Sequence, residues 1–211
     1  MVVDLSSPVS TFLDAAAARQ ATPGGGAVAA LSGALACSML EMVINYSIGK
    51  KGLEAHQDKL REVLSRAAAT RRKLEMLVTA DQAAYLELTA AKKLPQDAAG
   101  RGERVAVALA EAVRVPTDIL VSAGEILEMS AEVVEVSNPW LLSDLAVAAD
   151  LALAATRSGA HNIRINLSEV GNAATRGKIQ AAMDTIVSIA TASHAKLAPR
   201  IWERIRENNP G

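Results

Sequence analysis

Apolar residues return every three or four positions along most of the chain, and glycine or proline stands where that rhythm stops. This is the pattern of helices in series. Ser7 ahead of Pro8 reads as an N-cap with proline at the first helical position, and Phe12, Leu13, Ala16 and Ala17 supply the apolar stripe of a short helix ending near Arg19. After Thr22-Pro23-Gly24-Gly25-Gly26, small and apolar residues over 27–48 predict a second helix, with Gly49 as its C-cap. Leu60, Val63, Leu64, Ala67, Leu74, Leu77, Val78, Tyr85 and Leu88 keep helical spacing through 53–94, which holds no proline or glycine and stops before Pro95. Such a helix would be roughly 60 Å long, more than a compact domain of this size spans, so its far part is expected to meet a partner chain.

A further helix is expected over 103–134, kinked at Pro116, and another over 140–157, ended by Ser158-Gly159. The segment 161–170 is ambiguous. Ile163, Ile165 and Leu167 alternate with Asn162, Arg164 and Asn166 as in a strand, but no second strand is available to pair with it, so helix is the expected state. A last helix should cover 175–207, bent at Pro199, with 208–211 frayed. The expected fold is a single all-α domain over 1–211, with six or seven helices and no internal repeat.

Composition narrows the core. Hydrophobic residues make up 50% of the chain and aromatics only 2%, so the core must be built from Ala, Leu, Val and Ile, which favour close helix packing. The 27–48 segment is long enough to raise a membrane span, yet its Ala, Ser and Gly content and the charge at Glu41 argue for a helix buried in a soluble bundle. A net charge of −1 gives no reason to expect nucleic acid, and the basic cluster 66–73 reads as a solvated helix side. Cys37 is the single cysteine, which fits a reducing cytoplasmic setting, and the N-terminus lacks the basic and apolar regions of a signal peptide.

Chemistry is sought where polar groups interrupt apolar faces, because burying one unpaired costs about 1–3 kcal/mol. Ser38, Glu41 and Asn45 share a face of the second helix; Asp81 and Tyr85 stand at i, i+4; Ser143 and Asp144 open the 140–157 helix; Asn162 and Asn166 share a face if their segment is helical. Each has a bland reading as an ion pair, a cap or a solvated group. Together they form a set suited to a polar heterocycle and proton transfer. Gly24, Gly25 and Gly26 serve either close helix packing or capture of an anionic or carbonyl group at a helix N-terminus. There is no P-loop or dinucleotide spacing, no nucleophile elbow, and no metal pattern around His56, His161 and His194.

Read in order, Phe12-Leu13, Pro23-Gly24-Gly25-Gly26, Gly49-Lys50-Lys51, Asp81-x-x-Ala84-Tyr85, Lys93-Leu94-Pro95, Val115-Pro116, Ser143-Asp144-Leu145-Ala146 and Asn162-Ile163-Arg164-Ile165-Asn166 resemble the cyclodeaminase/cyclohydrolase family from about Leu5 to Leu167. The resemblance implies an all-helical homodimer acting on folate one-carbon units, with a tetrahydrofolate derivative as substrate and no other cofactor or metal. It implies either hydrolysis of 5,10-methenyltetrahydrofolate or cyclisation of 5-formiminotetrahydrofolate with loss of ammonia, the former favoured because no formiminotransferase domain accompanies this chain. Asp144, Asp81 and Glu41 are then the expected acid–base groups. Gly24, Gly25, Gly26, Lys50, Lys51, Tyr85, Ser143, Asn162 and Asn166 are expected to bind substrate. The chain departs from the family pattern at Ala27, Tyr85, Gln96 and Ser137, where Ser, Phe, Lys and Gly are usual, and a non-catalytic dimeric scaffold is the alternative.

Overall fold

In the computed structural model, which describes residues 2–208, every regular element is helical. Six α-helices follow in order: α1 Val9–Ala17, α2 Gly25–Asn45, α3 Gln57–Lys93, α4 Arg101–Val133, α5 Leu142–Leu167 and α6 Ala173–Asn208. Short 3₁₀ turns at Glu54–His56, Val134–Val136 and Pro139–Leu141 lead into or out of the long helices. No strand occurs among the described residues, in line with the helical reading of 161–170. Fraying expected at 209–211 lies outside them, while Asn208 still belongs to α6 and donates to the Arg204 carbonyl.

α2 is the central element, packed against α3, α4 and α5, and α6 lies across α4 and α5. Small side chains make this possible: Ala27, Ala29, Ala30, Ala34 and Ala36 are sealed from solvent within α2, and the larger Leu40, Val43 and Ile44 complete its buried face. Such residues bring helix axes close and leave little volume to fill, which suits a core whose one buried aromatic ring is Phe12. α2 and the segment Pro139–Leu167 are long and apolar enough to cross a membrane by length and composition. In this fold most of the apolar residues of α2 are spent on a protein core.

Three expectations are corrected. α3 is not a lone projecting helix: its far half pairs with the start of α4, burying Leu88 and Ala91 against Ala108 and Ala112, because the 101–133 helix turns back alongside it. Ser158-Gly159 does not end a helix, since α5 continues to Leu167. A Cβ at Gly159 would lie 3.1–3.2 Å from the Leu120 backbone and Cβ, so this glycine is there to let α4 and α5 touch. Ser7 does not cap α1. Pro8 holds the N-cap position and the Ser6 and Ser7 hydroxyls turn back to Asp4.

Other boundaries follow the chemistry read from the sequence more closely. α2 ends earlier than expected, with Tyr46 and not Gly49 as its C-cap; Gly49 takes φ +75° in the turn that follows, and its N–H donates to Gln57 Oε1 at 2.8 Å. Leu94 is extended ahead of Pro95, ending α3. α4 and α6 run on through Pro116 and Pro199 without interruption. Gln82, fully buried, exchanges hydrogen bonds with both backbone groups of Val3 and so pins the N-terminal segment against α3 beside Asp81.

Candidate active site

The glycine run enters α2 beside α3 and the C-terminal half of α5, and a cleft of about 440 Å³ opens there. Its walls carry Gly24, Gly25 and Gly26 from the loop, Asp81 and Tyr85 from α3, and Asn162 and Asn166 from α5. Residues far apart in sequence, the glycines singled out as a helix entrance and the others by polar breaks in apolar faces, thus share one site of small-molecule size.

Asp81 is the chemical centre of the cleft. Its carboxylate stands against the first turn of α2 and accepts the Ala27 backbone N–H, answering one of the donors a helix start leaves unpaired. Gly26 makes that approach possible, because any Cβ there would overlap the carboxylate itself. Burial nevertheless dominates the electrostatics: desolvation holds the Asp81 carboxyl above its ordinary range, outweighing the Ala27 hydrogen bond that favours the charged form. A half-buried carboxyl poised upward in a cleft is equipped to take a proton and give it back. Ala27, fully buried, contributes its N–H to Asp81, so a side-chain hydroxyl at that position is not what joins loop to site.

Asn162 and Asn166 are tied to backbone carbonyls. Asn162 Nδ2 donates to Ser158 O at 2.8 Å, and Asn166 Nδ2 donates to Ala112 O at 2.8 Å. Tyr85 is half exposed at the cleft wall, free to lie against a ring. The polar wall residues missed in the sequence are Thr22, Thr89, Lys92 and Glu169. Lys92 and Glu169 form an ion pair of 2.6–2.7 Å that ties the end of α3 to the segment after α5. The signal was present. Extending the Asp81–Tyr85 period by further turns reaches Thr89 and Lys92, and extending Asn162–Asn166 by three reaches Glu169.

The remaining expected residues stand elsewhere. Asp144 and the exposed Ser143 lie in the first turn of α5, eighteen positions before Asn162 and so roughly 27 Å along the helix from it. Asn138 fixes that end against the end of α2, its N–H donating to Ser47 Oγ at 2.8 Å and its side chain to the Tyr46 carbonyl. Lys50 and Lys51 sit in the turn after α2, at the same end. Glu41 is engaged by Arg71 at 2.7 Å, and Arg71 also holds Glu75. The basic cluster is therefore not simply solvated, since Arg66 pairs in turn with Glu132 on α4.

Cys37 is inert here: burial and the nearby Glu41 charge push its thiol up to about 12. Among the described residues no three His, Cys, Asp or Glu side chains converge as a metal site. His194 is occupied by Asp150 at 2.6 Å.

An all-helical bundle that brings a poised carboxyl, two fixed amides and a glycine-led helix start into one cleft defines a class: a small-ligand protein equipped for proton transfer. Comparison with known proteins gives the family. Residues 8–185 match the family model described as formiminotransferase-cyclodeaminase, and the chain belongs to that family. It is 31% identical to methenyltetrahydrofolate cyclohydrolase of Methylorubrum extorquens, over 94% of this chain and 95% of that protein. It is 28% identical to formimidoyltransferase-cyclodeaminase of Sus scrofa over 95% of this chain, which spans 38% of that longer protein. The crystal structure of formiminotetrahydrofolate cyclodeaminase from Thermotoga maritima superposes with a TM-score of 0.80 at 28% identity, covering 95% of this chain and 96% of that one.

Proposed function

We propose that this protein is a folate one-carbon enzyme that hydrolyses 5,10-methenyltetrahydrofolate to 10-formyltetrahydrofolate, with cyclisation of 5-formiminotetrahydrofolate as the related reaction open to the same site. The observation that carries this reading is the Asp81 carboxyl, half-buried, held above its ordinary range and admitted by Gly26, in a chain of this family. Similarity along the length of both chains to the Methylorubrum cyclohydrolase supports the hydrolytic reaction, and the same extent of similarity to the Thermotoga cyclodeaminase supports the cyclisation.

The chemistry needs a base, an acid and a counter-charge. Ionised Asp81 stabilises the cationic amidinium of the methenyl group and accepts a proton as water adds to its carbon. The resulting tetrahedral carbon lies between N5 and N10. Breaking its bond to N5, with proton delivery to that nitrogen, leaves the formyl group on N10; water supplies the oxygen and one proton is released to solvent. Both transfers fall to carboxylates, and the reaction as written requires no metal or further cofactor. The cytoplasm, with its reduced cysteines, is the setting that fits this reading.

The second part of the proposal is a homodimer that completes the site. Within one chain the expected residues fall into two groups at opposite ends of the antiparallel α2–α5 pair. Gly24–Gly26, Asp81, Asn162 and Asn166 lie at one end; Lys50, Lys51, Ser143 and Asp144 lie at the other. Between them α2 and its C-cap turn outward an apolar stripe of Val28, Leu35 and Tyr46, all exposed and spaced by whole turns. A two-fold axis through that stripe, crossing two copies of α2 antiparallel, sets the Asp144 end of one protomer against the glycine end of its partner. Asp144 then supplies the second carboxylate, and Lys50 and Lys51 meet an anionic glutamate tail.

The test follows methenyltetrahydrofolate absorbance against its spontaneous decay, with purified protein. Accelerated decay is expected; neither acceleration nor folate binding would leave the non-catalytic scaffold as the reading. Asp81→Asn and Asp144→Asn proteins should each be inactive alone. Mixed in equal amounts and allowed to exchange, they should recover about a quarter of wild-type activity, because half the dimers carry one intact site of two. Absence of recovery despite exchange would place both residues' work within one chain.

A further inference from the structure

Pro116 stands inside α4, where its ring nitrogen has no hydrogen to give the Ala112 carbonyl one turn earlier. That carbonyl is taken instead by Asn166, whose Nδ2 donates to it at 2.8 Å across the α4–α5 contact. The same Nδ2 lies 3.3 Å from the Asn162 carbonyl. Only the NH2 side of an amide can face two carbonyl oxygens, so the orientation of Asn166 is fixed and its Oδ1 is the group left over. Oδ1 has no protein partner among the described residues and is not sealed from solvent. Ala112, Asn166 and Asp81 line the same cleft, so the one unused acceptor of Asn166 belongs to a residue of the cleft wall that also carries the carboxylate.

We propose that Asn166 Oδ1 accepts an N–H of the substrate's bicyclic ring, and that Pro116 is the positioning residue that keeps Asn166 turned this way by leaving the Ala112 carbonyl to it. The proposal rests on the folate reading and adds which edge of the ligand the cleft recognises. A reduced pterin carries amino and ring N–H donors along its pyrimidine side. A lining of fixed acceptors matches that edge and mismatches a ring that presents acceptors there. Pro116 is buried and is not among the residues that line the cleft, so its effect must run through Asn166.

The experiment measures kcat and KM for methenyltetrahydrofolate, and calorimetric affinity for tetrahydrofolate, in wild type, Asn166→Ala, Pro116→Ala and the double variant. Loss of one ligand hydrogen bond in Asn166→Ala should raise KM and the dissociation constant roughly tenfold, with kcat much less changed. Pro116→Ala adds a helix hydrogen bond and so keeps the fold; its new N–H competes for the Ala112 carbonyl and should raise KM about threefold. In the Asn166→Ala background the same change should do nothing. A separate readout needs no turnover: the Asn166 side-chain NH2 resonances of the free protein should move in Pro116→Ala. Equal effects of Pro116→Ala in both backgrounds, or unchanged affinity in Asn166→Ala, would overturn the proposal. Wild-type protein that neither binds nor converts folates would overturn the folate reading and this inference with it, whereas active protein with additive variants would overturn the inference alone.

Discussion

The two ends of the α2–α5 pair differ in how their polar groups are used. At the glycine end, Asp81 keeps a carboxyl that burial holds above its ordinary range, and Asn166, whose amide nitrogen is spent on backbone carbonyls, lines the same cleft. At the other end, Asn138 is committed to the backbone at Tyr46 and Ser47, while Ser143 is exposed. On the face between them, Glu41 is neutralised by Arg71. Groups left half-buried and incompletely paired are positioned for chemistry; groups already satisfied hold the fold together. In the proposed reading the glycine end is the working part of one chain, and the far end would join it through a second copy.

The sharpest way to break this contrast is Asp81→Asn. Turnover should fall by on the order of 10³-fold, measured by the absorbance assay, because the group that exchanges protons is gone while its shape remains. Stability should move the opposite way. The folded-state pKa of Asp81 lies above the unfolded value, so its contribution is intact at low pH and lost as pH rises through the folded value, where a charge must be buried. The thermal midpoint of Asp81→Asn should therefore match wild type near pH 3.5 and exceed it near pH 7.5. An equal midpoint at both values would mean that Asp81 is a simple helix cap.

Gly26→Ala comes next. The added methyl occupies the space of the Asp81 carboxylate, so α3 must shift or the side chain must leave. Activity should drop roughly a hundredfold, with circular dichroism still helical. Glu41→Gln is expected to have the smallest effect. Removing one partner of the part-buried Glu41–Arg71 pair should cost about 1 kcal/mol in denaturant melts and leave KM for the folate unchanged. A large loss of turnover from Glu41→Gln would erase the difference between a structural ion pair and the site.

Much of this was legible because helix formation is local. The absence of proline and glycine from 53–94 announced α3, and the i, i+4 spacing of Asp81 with Tyr85 and of Asn162 with Asn166 marked two walls of the cleft. Gly159 misled for a physical reason: glycine after serine signals a helix end when solvent surrounds it, but here it marks a helix crossing that only the Leu120 backbone reveals. Pro116 was read as a kink, while its consequence lies on another helix, in Asn166.

The all-helical class, an alanine-built core and the identity of the polar residues at its breaks were determined by the sequence alone, since periodicity and small side chains act over a few residues. Which of those polar residues meet was decided by tertiary structure. Asp81 under the start of α2, Glu41 on Arg71, Asn166 on Ala112, and the 27 Å or so between Asp144 and Asn162 all depend on how long helices lie against one another. No local rule carries that information, because the energy that sets it comes from burial summed over whole helix faces.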